Sequence, residues 1–209
     1  MSYHEEQETL DELKAWWARW GNGITWVVLI VLLVAAGYNG WNFWQRKQTG
    51  KASELYETVQ QTLAAGDKDR IAAVAKRMED DYGRSPYAQM TALQAAKSMY
   101  LASDTAGAKA QLQWTIDHAK DDEYRQIARL RLAGVLLDEK SYDAGLKLLA
   151  DEPPAAFKGL FADRRGDLLA AQGKQDDARA AYKVALAAAG DTDASQKQLI
   201  QFKLDALGG

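Results

Sequence analysis

The chain has no cysteine, and that absence removes disulfides, thiolate metal sites and cysteine nucleophiles together. Either redox compartment tolerates such a chain, so the absence does not place it. Histidine is almost missing as well: only His4 and His118 occur, far apart, and neither has a second metal-type ligand at helical spacing. His118 closes the predicted helix QLQWTIDHAK, where a cation near the last carbonyls is the ordinary structural explanation. There is no glycine-rich phosphate loop, no nucleophile elbow and no HExxH pair. The acidic run Asp121-Asp122-Glu123 lacks the spaced ligands and the glycine of a calcium loop, and reads as a capped helix start. No catalytic site, metal or cofactor is therefore expected. An excess of positive charge is absent too, with Lys plus Arg at 26 against Asp plus Glu at 29, and from position 45 onward the two balance. Balanced, scattered charge gives no footprint for a phosphate backbone, so nucleic acid is not an expected partner. Arg125, Arg129 and Arg131, with Arg164 and Arg165, are expected to pair with neighbouring acids. Only three prolines occur, and with abundant Ala, Leu, Lys, Asp and Gln this predicts helix almost throughout.

What is present first is a long uncharged run. From Ile24 to Trp44 no residue is charged; twenty-one residues at 1.5 Å each give roughly 31 Å, about one hydrocarbon core. Trp16, Trp17, Trp20 and Trp26 mark one end and Tyr38, Trp41, Phe43 and Trp44 the other, as aromatic belts do at the two interfaces. A cleaved signal peptide is the rival, because the strictly apolar part, Ile24 to Ala36, is short and ends in small residues. Such a peptide needs a basic start, whereas residues 1–20 carry Glu5, Glu6, Glu8, Asp11 and Glu12 against Lys14 and Arg19. An uncleaved anchor is the reading adopted. Leu10, Leu13, Trp16, Trp17 and Trp20 recur at spacings near three and four, so the segment before the span fits an amphipathic helix in the interface. Within the span, Ala36 and Gly40 form a small-xxx-small pair that admits another helix closely. Arg46, Lys47 and Lys51 slightly outnumber Lys14 and Arg19, a small lean toward a cytoplasmic C-terminal side. The expected organisation is a segment over 1–23, a transmembrane helix over 24–44, a linker over 45–50 and one domain over 51–209.

In that domain amphipathic helices alternate with short polar turns. Helices are predicted over 51–65, 68–82, 85–102, 105–119, 122–138, 141–150, 156–172, 175–188 and 193–207, with Asp67, Ser85 and Asp104 as N-caps and Gly173 and Gly190 among the turns. LAGVLLDEKSYDAGLKLL and RGDLLAAQGKQDDARAAY align at an offset of 33: Ala133 with Gly166, Leu136 with Leu169, Gly145 with Ala178, Leu149 with Tyr182. A third copy puts Ala96, Met99, Ala108 and Leu112 at the same stations at an offset of 37, which suggests an insertion near Asp121, and a degenerate fourth spans 52–82. The period and residue types predict an all-α tetratricopeptide-like solenoid rather than a plain antiparallel bundle. First helices of such units line a concave surface, here with Met90, Leu93, Lys97, Tyr100, Leu130, Leu137, Asp138, Asp163 and Asp167, a mixture suited to an extended peptide or a partner helix. Lys97 alone does not make the two-carboxylate clamp of chaperone-binding repeats. The last helix, with Leu199, Phe202, Leu204 and Leu207, is expected to cap the stack.

Four stretches, EEQETLDELKAWWARWG, YGRSPYA, LQWTIDHAKDDEYRQIARLRLA and GDLLAAQGKQDDARAAYKVAL, together with the one span, make the chain resemble the YfgM-like family, ancillary subunits of the SecYEG translocon in Gram-negative bacteria. The resemblance implies a type II inner-membrane protein with a cytoplasmic N-terminus and a periplasmic repeat domain. It implies association with SecYEG and with a membrane-anchored periplasmic chaperone of the PpiD type, as a non-enzymatic adaptor for exported client proteins, and a link of the acidic N-terminal segment to cytoplasmic stress regulators. That orientation opposes the small lean of the charge count. A scaffold for another envelope assembly is the alternative from a different class, and a membrane-bound hydrolase is disfavoured by the failed motif search.

Overall fold

The computed structural model describes the backbone of residues 2–189 and 194–208, with the side chains of 13–44, 46–67, 69–189 and 194–208. The helices are α1 (Ser2–Ala65), α2 (Lys68–Tyr82), α3 (Pro86–Leu101), α4 (Thr105–His118), α5 (Asp122–Asp138), α6 (Tyr142–Leu148), α7 (Lys158–Ala171), α8 (Gln175–Ala188) and α9 (Ala194–Ala206), with a 3-10 turn over Ala155–Phe157. No strand occurs among the described residues. Leu10's side chain and the turn signal at Gly190 lie outside them. The chain divides into two compact units, Met1–Gly50 and Lys51–Gly209.

In the first unit nothing interrupts the helix, since the first proline is Pro86. Gly21-Asn22-Gly23 and residues 45–50 are helical. Trp17 covers Gly21, where a Cβ would stand 2.9 Å from the indole, and Thr25 Oγ1 donates to the Gly21 carbonyl at 2.7 Å. Trp26 and every residue from Val27 to Val34 are exposed, and this helix is long and apolar enough to cross a membrane. An apolar surface all round a helix is satisfied by lipid, not by water. Trp16, Trp17, Trp20, Trp41 and Trp44 are exposed, the rings of Trp41 and Trp44 lie 5.5 Å apart, and the space around Gly40 is open. Ala36 is exposed on the same helix.

The second unit repeats one turn four times. Each passage from a first helix to its second goes through a left-handed residue, at Gly66 (φ 68°), Ser103 (64°), Lys140 (59°) and Gly173 (77°), in steps of 37, 37 and 33 positions. Asp67 and Asp104, each one residue later, cap the second helices by accepting from Arg70 N at 3.0 Å and Gly107 N at 2.9 Å; Ser85 and Asp121 cap α3 and α5 in the same manner. The equal first two steps correct the expected insertion near Asp121: the third unit is the short one. α6 has 7 residues where α4 has 14, and stops at Leu148 rather than 150. Pro153 and Pro154 follow, and the residue before a proline is driven out of the helical region.

Packing follows the same register. Val59, Ala96, Ala133 and Gly166 on the first helices are buried, as are Ile71, Ala108, Gly145 and Ala178, then Ala75, Leu112, Leu149 and Tyr182, on the second. Small residues recur there because large side chains of neighbouring helices lie directly over them: a Cβ on Gly166 would lie 2.4 Å from Tyr182 Cε1, and one on Gly145 2.8 Å from Leu168 Cδ2. Four apolar clusters follow one another along the stack, from Ala52, Val59 and Met78 to Ile200 and Leu204, and successive clusters draw on the same helices, so each helix pair buries its face on the next. Gly166→Ala is expected to cost about 1–3 kcal/mol by overpacking Tyr182. Lys140→Gly is expected to stabilise by about 1 kcal/mol, because a side chain no longer sits in left-handed backbone. Chemical denaturation of the full chain in detergent measures both, and an unchanged midpoint for Gly166→Ala contradicts the close-approach account.

Candidate protein-binding face

First helices α3, α5 and α7 stand side by side, α3 against α5 and α5 against α7. One station of the repeat, occupied by Gln94, Arg131 and Arg164, reaches back to the preceding first helix each time. Gln94 Nε2 donates to Tyr56 Oη at 2.8 Å, and Gln60 Nε2 donates to Gln94 Oε1 at 2.8 Å. Arg131 Nη1 donates to the Leu93 carbonyl at 3.1 Å. The Arg164 guanidinium lies over Gly134, 3.6 Å from where a Cβ would be. The hydrogen bonds of Gln94 and Arg131 tie neighbouring repeats together, whereas Arg164 packs on Gly134 and pairs with Asp167 of its own helix at 3.5 Å.

Two groups of the predicted groove residues meet. Tyr100 Oη donates to Asp138 Oδ2 at 2.5 Å across α3 and α5; both residues are exposed, and the carboxylate beside it holds the phenol above its ordinary pKa. Asp163 and Asp167 on α7 both hold Lys203 Nζ of α9 at 2.7 Å. Tyr182 Oη donates to Asp167 Oδ1 at 2.9 Å, and Lys203 Nζ lies 5.5 Å from the Tyr182 ring centroid. Burial first, and Asp167 second, push the Tyr182 phenol far above its usual pKa, so it is a fixed donor. Met90, Leu130 and Leu137 are half-buried, Leu93 is buried, and Lys97 is exposed. Beside Tyr100, Leu101 is 73% exposed, so the Tyr100–Leu101–Asp138 corner presents aromatic, apolar and acidic surface together.

Lys203, Tyr182 and the Gln94 station were not among the expected site residues. The register would have found the station, one position past Leu93 and Leu130; nothing local marks Lys203, because its acids lie 36 and 40 positions away. Three of the arginines pair with acids as expected, Arg125 with Asp122 at 2.7 Å, Arg129 with Asp151 at 3.4 Å and Arg164 with Asp167 at 3.5 Å, while Arg131 goes to a carbonyl instead. Carbonyls are further partners that the sequence did not announce: Arg125 also holds the Ala119 carbonyl at 2.5 Å, and Arg129 gives Nε and Nη2 to the Leu148 carbonyl at 3.0 and 2.6 Å. Helix C-termini present unpaired carbonyls, and a planar guanidinium fits them. His118 sits stacked on Trp114, with Nδ1 at 2.9 Å from the Trp114 carbonyl, a structural role at the end of α4. Capping by the last helix is carried by Ile200 and Leu204, which are buried, whereas Leu199 and Phe202 are exposed. Lys203→Met is expected to leave the half-buried Asp163 carboxylate without its cation, and Asp167 with only the Tyr182 hydroxyl and Arg164 at 3.5 Å, and to loosen α9 by about 2–4 kcal/mol. Hydrogen exchange should then speed up in α9 with α3 to α5 unchanged; unchanged protection of α9 contradicts the capping role of the ion pairs.

Comparison with known proteins places this architecture. The chain matches the tetratricopeptide repeat-like domain family over residues 14–209. It is 31% identical over 204 residues to an ancillary SecYEG translocon subunit of Neisseria gonorrhoeae, covering 97% of each chain, and 25% identical to the one of Escherichia coli over 98% of each. A subunit of the same name from Aggregatibacter actinomycetemcomitans is 27% identical, over 97% of this chain and 98% of that one. Among solved structures, a MamA RS-1 ArsTM double mutant superposes with a TM-score of 0.53 at 16% identity, over 76% of this chain and 89% of that one, a likeness of fold. With its span, its repeats and its near full-length relatives in register, this chain belongs to the tetratricopeptide repeat-like family of ancillary SecYEG translocon subunits.

Proposed function

We propose that the chain is a non-enzymatic accessory subunit of the SecYEG translocon in the inner membrane, and an adaptor that brings exported client proteins to a periplasmic chaperone of the PpiD type. The observation that carries the reading is the match to translocon subunits over 97% of both chains, which takes in the anchor as well as the repeats. In this reading residues 1–23 form a cytoplasmic amphipathic segment, 24–44 the span, 45–50 the passage out of the bilayer and 51–209 a periplasmic repeat domain. The small basic excess after the span does not oppose it strongly, since long domains translocate largely regardless of flanking charge.

The division of labour follows from surface chemistry. The exposed tryptophans and the Ala36 and Gly40 face suit lipid and a neighbouring transmembrane helix. Tyr100 and Leu101 supply apolar and aromatic area next to the Asp138 carboxylate, a corner suited to a peptide or partner helix. Anchoring beside a channel raises the effective concentration of emerging chains, so each such contact can be weak. Lys97, Met90, Leu130 and Leu137 extend the same face, while Asp163 and Asp167 act through the packing of α9.

Affinity purification of the full-length chain in mild detergent tests this. Channel subunits and a periplasmic chaperone are expected with the unaltered protein, and Tyr100→Ala combined with Asp138→Ala is expected to lose the chaperone while keeping the channel. Recovery of other envelope proteins without channel subunits overturns the assignment in favour of a scaffold.

A further inference from the structure

On the side of the stack built by second helices, a cleft of about 800 Å³ opens between α4 and α6 over α5. That size lies within the range of ligand sites. Its cause is the shortening already described: α6 ends at Leu148 and lacks about two turns that its counterpart α4 possesses. Helix surface that those turns would cover is left facing the cleft. The floor is apolar, formed by Leu132 and Leu136 of α5, Ile116 of α4 and Leu148. Ala110 and Ala144 stand in the two walls, both exposed, so no long side chain closes the mouth.

The charged lining is lopsided. Lys109, Arg125, Arg129 and Lys147 face a single carboxylate, Asp151. Two of the cations are partly neutralised from outside the lining, Lys109 by Glu139 at 2.7 Å and Arg125 by Asp122 at 2.7 Å. Lys147 is exposed and holds no carboxylate among the described residues. Arg129 is rigidly placed, with its Nε and Nη2 on the Leu148 carbonyl and its guanidinium carbon 5.3 Å from the Phe161 ring centroid. Its side chain is 11% exposed and its Nη1 donates to Gln126 Oε1 at 3.2 Å, so Nη2 is the edge left to a carboxylate; the one there, Asp151, stands at 3.4 Å and is 88% exposed, so it is easily displaced.

We infer that this cleft binds a short acidic, leucine-rich segment of another polypeptide, which takes the place of the missing turns of α6. Leucines of that segment cover Leu132, Leu136 and Ile116, and its carboxylates meet Lys147 and Arg129. The concave face is separate, since it is built by first helices. The inference stands independently of the translocon assignment.

The test needs neither channel nor chaperone. A fluorescein-labelled peptide GELLEELG and its uncharged twin GQLLQQLG are titrated with the full-length chain in a non-ionic detergent, and binding is read as fluorescence anisotropy. The acidic peptide is expected to bind about tenfold more tightly than its twin, the weight of one charge-assisted contact. Lys147→Glu and Ala110→Trp, both at exposed positions, are each expected to weaken it about tenfold with an unchanged far-UV spectrum; Tyr100→Ala is expected to leave it unchanged. Equal binding of the two peptides overturns the charge assignment, and full binding by Ala110→Trp overturns the location. Displacement by short-chain phosphatidylglycerol at concentrations below those of the peptide gives the cleft to lipid and overturns the peptide assignment.

Discussion

The repeat domain depends on one constraint: at recurring stations a small residue must leave room for a large side chain of a neighbouring helix. Gly166 under Tyr182 and Gly145 under Leu168 show it, and Ala96 and Ala108 are buried at the same stations of the second unit. Close approach lets large neighbours fill the space between pairs, so Leu149, Phe161 and Leu168 become fully buried. Without it the pairs would splay and the continuous core would break into separate clusters. Such stacks derive their stability from nearest-neighbour interfaces, which makes each station count locally.

Polar groups then fix what hydrophobic packing leaves free. Guanidinium groups of Arg125, Arg129 and Arg179 hold carbonyls at the ends of α4, α6 and α9, where a helix has acceptors to spare. Links from Gln94 and Arg131 tie first helices to their predecessors, and Lys203 with two aspartates seats the last helix. The corner at Tyr100, Leu101 and Asp138 leaves aromatic and apolar surface open on that side, as does Leu160 of α7. The shape of the candidate binding surface therefore follows from where the stack has already satisfied its own polar groups.

Much of this could be read in the amino-acid order. The aromatic flanks and uncharged run of the span, the caps at Asp67, Ser85 and Asp104, and the stations from Ala133 to Tyr182 follow from local chemistry and a fixed period. What escaped is long in range. The short α6 was hidden because the first alignment compared the shortened unit with its successor, so its spacing passed for the ordinary one. The left-handed turn residues Ser103 and Lys140 carry no glycine to announce them, and they emerge only as counterparts of Gly66 and Gly173. The role of Lys203 rests on a partner helix, and that of Arg129 on a carbonyl; neither leaves a pattern in the residues nearby.

The central claim is that a membrane helix sets this protein-binding stack beside the translocon with the repeats on the periplasmic side. In-cell photocrosslinking from one position on each unit addresses it most directly, with a photoreactive residue replacing Trp41 or, in a separate strain, Leu101. Adducts to a channel subunit from position 41 and to a periplasmic protein from position 101 are the predicted result. Adducts from position 101 to cytoplasmic proteins alone would contradict it, by reversing the orientation.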